Sequence, residues 1–485
     1  MITVKSTHAE LAALVGESRL ASDPAACAAL AVDGEVPSFV VYPPSAEQVA
    51  AVLKYCANHD LAVIPCRNAT KLGIGNPPAR YDVALSLKEM NQVWYYEPAD
   101  LTASVEPGMK LGDFQRFLGR HGLWLPLDPP GGERASLGGI LATNASGPLR
   151  VCYGAPRDMV IGMKIATTDG KIVKTGGRVV KNVAGYDLGK LLIGSYGTLG
   201  VIVEASFKLY PLPGGRVTFV FAVGSLDRAR DLRRAIQRSH LEPTRLLLLD
   251  AEAARLVRAG FEASVISGVG HGAELWFEAA GSTRLLERYE HDARELARAV
   301  GAEVEKVDAR GAEAAWARLA GFHTWLCSAG LQPGTLEFHT RPAEERGGAR
   351  RQNAGETPAL PGPGPVILKA TLPVAATEDF LARAREEADR EALRLAAFAQ
   401  AGVGIAHLCL LEVQPADRLP GLVERLRKQA ADCGGALVVE RCSAEVKSAT
   451  DVWGPGGDDL EMMRKLKSMW DPKGILSPGR FVGKL

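Results

Sequence analysis

Gly194-Ser195-Tyr196-Gly197-Thr198-Leu199-Gly200-Val201-Ile202 is the stretch on which the reading of this chain turns. Glycines at 194, 197 and 200 punctuate it, apolar residues sit among them, and a β-rich run continues to Tyr210. Glycine loses more freedom on folding than any other residue, so such density needs a reason. The whole interval 128–202 is rich in it, from Gly131 and Gly132 to Gly200. Either the glycines make turns, or they let backbone approach a ligand, since unobstructed N–H groups can cradle a diphosphate. Apolar residues among glycines, here and in Ala135-Ser136-Leu137-Gly138-Gly139, suit a flat aromatic cofactor with an anionic tail. On local chemistry alone the two readings stand level.

Upstream, residues 36–72 read as strand, helix, strand. Ser38 to Tyr42 is extended, Ser45 caps a helix marked by Val49, Val52, Leu53 and Cys56, and Leu61 to Ile64 is β-prone. Val83, Leu85 and Leu87 alternate with smaller residues, as do Leu101, Ala103 and Val105. Leu111, Phe114, Phe117 and Leu118 form a helical stripe with Gly122 as its stop. Asp169-Gly170 predicts a two-residue hairpin turn with both positions at positive φ.

Downstream, Pro211-Leu212-Pro213-Gly214-Gly215 marks a domain boundary. Residues 227–260, 282–300 and 378–399 read as helices, and 218–223 and 274–278 as strands. The expected division is an N-terminal helical segment over 1–33, a first domain over 34–213, and an α+β second domain over 214–444. Residues 341–365, rich in Arg, Gly and Pro, read as a flexible insertion, and 445–485 as a C-terminal segment.

Composition narrows the function. A net charge of +1 over 485 residues gives no field for nucleic acid or an anionic membrane. The start lacks the order of a signal peptide, and no apolar run approaches a membrane span. The expected location is cytoplasmic, with any membrane association made through partners. Eight scattered cysteines suggest reduced thiols and argue against an iron–sulfur cluster in this chain. Cys152 reads as a buried free thiol rather than a point of covalent attachment. No Gly-x-Gly-x-x-Gly follows a strand, no P-loop is present, and no histidine pair marks a metal site.

Several ordered pieces now add up. Pro44 to Val49, Pro65 to Gly75, Glu106-Pro107-Gly108, Ala135 to Gly139, Asn144, Gly147, Tyr153-Gly154 with Arg157-Asp158, and Gly194 to Ile202 resemble a known order. It is that of the FAD-binding domain shared by vanillyl-alcohol oxidase and p-cresol methylhydroxylase. Lys181 to Asp187, Gly73 to Pro78 and Asp471-Pro472 with Pro478-Gly479-Arg480 narrow the resemblance to the FAD-binding subunits of glycolate oxidases. It is strong over 34–213 and weak over 214–440.

The resemblance implies a two-subdomain FAD-binding domain of the p-cresol methylhydroxylase type (PCMH-type) with an α+β cap, and a C-terminal segment that returns to the first domain. It implies non-covalent FAD held by Pro65, Cys66, Arg67, Asn68, Ala69, Thr70, Lys71, Pro129, Ser136, Leu137, Gly138, Gly139, Asn144, Gly147, Gly197, Gly200, Val201 and Ile202. It implies two partners, a second flavin subunit and an iron–sulfur subunit, and a small 2-hydroxyacid substrate oxidised by hydride transfer to FAD. Arg157, Lys181 and Tyr186 are the catalytic candidates from the matched segment. Arg67 and Ala69 stand where the resemblance leads one to expect glycine; Arg67 either places a guanidinium on the diphosphate or crowds it. His407 stands alone where related hydroxyacid dehydrogenases carry metal-binding histidines, so no metal is expected. Two further readings stay open: a non-catalytic FAD-bearing or scaffold subunit, and a stand-alone D-2-hydroxyacid dehydrogenase.

Overall fold

A computed structural model describes residues 4–177, 187–258, 272–322, 365–411, 413 and 418–485. The expected insertion at 341–365 therefore lies outside the described residues, save its last.

Four strands make the first sheet: β1 Leu20–Ala21, β2 Phe39–Val41, β3 Val63–Cys66 and β4 Val83–Ser86, in the order β1-β2-β4-β3. The β2, β3 and β4 strands run parallel, which requires a crossover. Ala46–Asn58 supplies it, capped as expected by Ser45, whose Oγ accepts from Gln48 N. Every residue of β4 is buried, because this central strand is covered on both faces.

Five antiparallel strands make the second sheet: β5 Val93–Glu97, β6 Thr102–Val105, then β8 Val160–Ala166, β9 Ile172–Gly176 and β10 Val201–Lys208, in the order β5-β6-β10-β8-β9. A two-stranded ribbon pairs β7 Leu123–Trp124 with β11 Tyr210–Pro211. The helix Leu111–Gly119 packs Phe114 and Leu118 against the second sheet. Ala166, Val201 and Val203 join the core of the first sheet, so the two sheets share apolar packing.

The β8–β9 hairpin corrects the expected turn. Thr167 N donates to Lys171 O and Gly170 N to Thr167 O, so the loop has three residues, and Gly170 alone has positive φ, at 83°. The Asp169 carboxylate bonds Thr167 Oγ1 and Lys171 N, holding the wider loop.

The second half is an eight-stranded antiparallel sheet. Its strands are β12 Arg216–Ala222, β13 Arg245–Leu249, β14 Glu274–Ala280, β15 Glu303–Val307, β16 Val366–Thr371, β17 Leu395–Gln400, β18 Ile405–Leu410 and β19 Ala436–Arg441, ordered β15-β12-β14-β13-β17-β18-β16-β19. Helices Leu226–Arg238, Thr283–Val300, Thr377–Arg390 and Leu419–Asp432 cover one face. Trp276, Trp316, Phe322 and Phe398 build the core on the other. Two expected helices are shorter than read. Leu-rich β13 interrupts 227–260, and the helix from 377 ends at Arg390, before β17.

The last segment closes back on the first sheet. Leu476 bridges Val63 in parallel, and Ser477 N donates to Val63 O at 2.9 Å. No helix among the described residues is long and apolar enough to cross a membrane.

Candidate functional site

A cleft opens between the loop after β3, the helix Leu137–Thr143 and the turn before β10. Pro65, Cys66, Arg67, Asn68, Ala69, Thr70, Lys71, Ser136, Gly138, Gly139, Gly197, Gly200, Val201 and Ile202 all line it. Four residues expected there do not. Leu137 is buried in core, Pro129 lines a neighbouring cavity, and Asn144 ends the helix in a left-handed conformation. Gly147 is glycine for packing, since a Cβ there would stand 1.9 Å from Asp128 O. Packing explains Gly138 and Gly200 as well, whose added Cβ atoms would fall 2.7 Å from Pro107 Cβ and from a methyl of Ile165. Gly139 differs: within 4 Å its Cβ would meet only Ser136 Oγ, at 3.2 Å.

Sequence reasoning missed Tyr196 and Arg480 on these walls. Tyr196 has φ 56°, rare for a residue with a side chain. Its N–H donates to Ala142 O at 2.8 Å, and its ring is wedged between Trp453 and Phe481. Arg480 arrives from the C-terminal segment and donates to Leu72 O and Ile74 O.

The donors on these walls fit FAD. Arg67 Nε and Arg480 Nη1 are buried with no acceptor among the described residues. Burial draws both guanidinium pKa values down from the ordinary value. Buried N–H groups on cations are costly unless a partner arrives, and a diphosphate supplies anionic oxygens. The cleft between the 67–71 loop and the helix Leu137–Thr143 is narrow, with about 110 Å³ free. Two side-chain bonds tie that loop across the cleft, from Asn68 Nδ2 to Arg134 O and from Lys71 Nζ to Pro130 O.

A second cavity, of about 50 Å³, meets the first and is roofed by the large sheet. Thr70, Lys71, Ile74, Thr143 and Tyr196 border both; Lys369, His407, Glu440 and Arg441 are the charged and titratable residues that border the second alone. In register, β16 pairs Lys369 with His407 of β18, and His407 stacks on Phe398 at 4.8 Å. A β-bulge adds the rest. Ile367 pairs with Arg441 and Leu368 with Val439, which leaves Glu440 as the extra residue. Successive strand residues normally face opposite ways, and the bulge lets both Glu440 and Arg441 reach one cavity. Glu440 lies 3.8 Å from Lys369 Nζ and 3.8 Å from His407 Nε2. Burial pushes the Lys71 amine down to about 8; Arg441 and Lys369 press the same way, and Glu440 opposes them.

The catalytic candidates fare differently. Arg157 lines neither cavity but a separate small hollow with Asp187 and Lys190. Lys181 and Tyr186 lie outside the described residues. Cys152 lines neither cavity and, contrary to expectation, is exposed.

Comparison with known proteins agrees with this layout. Residues 37–176 match the model of the FAD binding domain, and 212–481 that of the C-terminal domain of FAD linked oxidases. Glycolate oxidase subunit GlcD of Bacillus subtilis is 26% identical over 456 residues, covering 93% of this chain and 90% of its own. The mitochondrial D-lactate dehydrogenase [cytochrome] of Arabidopsis thaliana is 27% identical, over 92% of this chain and 74% of its own. Among solved structures, alkyldihydroxyacetonephosphate synthase superposes with a TM-score of 0.72 at 17% identity, covering 97% and 84% of the two chains. Substrate-bound p-cresol methylhydroxylase gives 0.69 at 17%, covering 98% and 96%. At those identities the structures speak for the fold alone.

Proposed function

We propose that this chain, which belongs to the FAD-linked oxidase family, oxidises a small 2-hydroxyacid such as glycolate to the 2-oxoacid. It is an FAD-dependent oxidoreductase of PCMH-type α+β fold. The observation that carries the substrate class is the cation-rich cavity against the cofactor cleft. Its volume equals about three to five waters, the scale of a two-carbon hydroxyacid.

Arg67, Asn68, Thr70, Ser136, Gly139, Gly197 and Arg480 would hold FAD, which when bound supplies the acceptor for a hydride from the substrate α-carbon. Lys369 and Arg441 supply positive charge for the substrate carboxylate. Glu440 lies beside Lys369 and His407, and stacking on Phe398 fixes the His407 ring. In this reading the charge role expected of Arg157 passes to Lys369 and Arg441.

The relative named as a glycolate oxidase subunit supports work within a complex. We assign it a second flavin subunit and an iron–sulfur subunit as partners. The D-lactate dehydrogenases among the relatives favour a second reading, a stand-alone enzyme for D-2-hydroxyacids. The purified, FAD-loaded chain is to be mixed anaerobically with glycolate and with D-lactate. Loss of flavin absorbance with glycolate supports the first reading, and loss with D-lactate alone the second. Flavin that stays oxidised with both, until partner subunits are added, defeats catalysis by this chain and leaves a scaffold role.

A further inference from the structure

Lys71 stands where the two cavities meet, and its surroundings are unlike those of an ordinary lysine. Its one hydrogen bond among the described residues is long, 3.5 Å to Pro130 O. No carboxylate of the described residues lies within ion-pair distance of it. The charged and titratable groups around it are Glu440 and Arg441 on β19, Lys369 on β16, His407 on β18 and the Tyr196 phenol. Burial and the two neighbouring cations outweigh the one carboxylate.

The other candidates for moving a proton are worse placed. His407 is held in the sheet by its stack on Phe398 and its approach to Glu440. Burial raises the Tyr196 phenol, with Glu440 adding to the rise, so it resists ionisation. Lys71 belongs to the loop that also walls the cofactor cleft, so a substrate between the cavities lies beside its amine.

We propose that the neutral amine of Lys71 accepts the proton of the substrate hydroxyl during oxidation. This rests on the 2-hydroxyacid reading above. The O–H bond breaks and an N–H bond forms at Nζ. The O–H electron pair becomes the second bond of the new carbonyl, and the α-C–H pair leaves as hydride to FAD. Lys71, now an ammonium, returns its proton to solvent before the next turnover. With a pKa near 8, about a tenth of the amine is neutral at pH 7, against less than about a thousandth for a free lysine. A base must be deprotonated to act, so kcat/KM rises with pH through about 8. A lysine that merely anchored the carboxylate would give the opposite slope.

Three measurements on the FAD-loaded chain test this. First, with lysine labelled with ¹³C at Cε, one resonance titrates near pH 8 and vanishes in Lys71→Met. Titration of every lysine near its ordinary value overturns the proposal. Second, Lys71→Met loses at least about a hundredfold in kcat/KM, the scale of general base catalysis, and its pH profile flattens. Lys71→Arg keeps the charge and does not restore the rate, whereas added methylamine rescues Lys71→Ala. Third, oxalate, an acid with no hydrogen to lose, perturbs the flavin spectrum of wild type and Lys71→Met at similar concentrations. A Lys71→Met enzyme as fast as wild type, rescue by Arg, or a wild-type rate that falls above pH 8 overturns the Lys71 role and leaves the substrate reading intact. A wild type that oxidises no 2-hydroxyacid overturns both.

Discussion

The ammonium of Lys467 donates to the carbonyl oxygen of Thr198 at 2.8 Å, joining the helix Leu460–Trp470 to the turn that walls the larger of the two adjoining cavities. The same buried amine bonds Asp471 Oδ2 and Leu476 O, each at 2.7 Å. Lys467→Met removes all three bonds and leaves the buried Asp471 carboxylate without its cation, held by the Ile475 and Leu476 N–H groups. The expected cost is about 3–5 kcal/mol, read from urea unfolding, with weaker FAD binding. A loss below about 1 kcal/mol, the worth of an exposed pair, would show that the anchor is dispensable.

Arg67 tests whether the cleft attracts an anion. If its orphaned Nε–H serves the diphosphate, Arg67→Ala weakens FAD binding by about tenfold to a hundredfold, the worth of one charge-assisted bond. Fluorescence titration of FAD reads this directly. Tighter binding in the variant would mean that the side chain crowds the cofactor.

Two glycines separate packing from ligand approach. At Gly147 an added methyl collides with Asp128 backbone, so Gly147→Ala should lower stability by about 3 kcal/mol or more. At Gly139 the added methyl meets one hydroxyl, so Gly139→Ala should fold nearly as well while FAD affinity falls. Thermal melts with and without FAD distinguish the two. Equal losses at both sites would refute the distinction.

Asp128 carries a pH signature. Its carboxylate faces Arg245, which also binds Glu278 of β14, and burial lifts its pKa to about 6. An unfolded aspartate releases its proton near pH 4, so between about 4 and 6 the folded chain holds a proton that the unfolded chain has lost. This group's contribution to stability therefore falls as pH rises through that window. Asp128→Asn, which cannot ionise, should flatten the dependence of Tm on pH between 4 and 6. An unchanged slope would assign that dependence elsewhere.

Local pattern carried most of the first domain into view. Ser45 and the spacing of Val49, Val52, Leu53 and Cys56 read as a capped helix and form one, and the glycine-rich loops stand out in the composition. The second domain yielded less. Leu395-Ala396-Ala397-Phe398-Ala399-Gln400 is rich in helix formers, yet all six residues are buried as a central strand, where packing on both faces overrides propensity. The second cavity was illegible for a different reason. It is assembled from Lys71, Lys369, His407 and Glu440, far apart in sequence, and from a bulge that breaks the two-residue alternation. Tyr196 carries no sequence signal of its positive φ, because nothing in its neighbours announces a strained backbone.

The return of the C-terminal segment orders events in time. Residues 37–213 supply three walls of the cleft, but Arg480 closes it, and the Lys467 anchor comes almost as late. A nascent chain on the ribosome therefore has no finished cleft to offer until translation has passed residue 480.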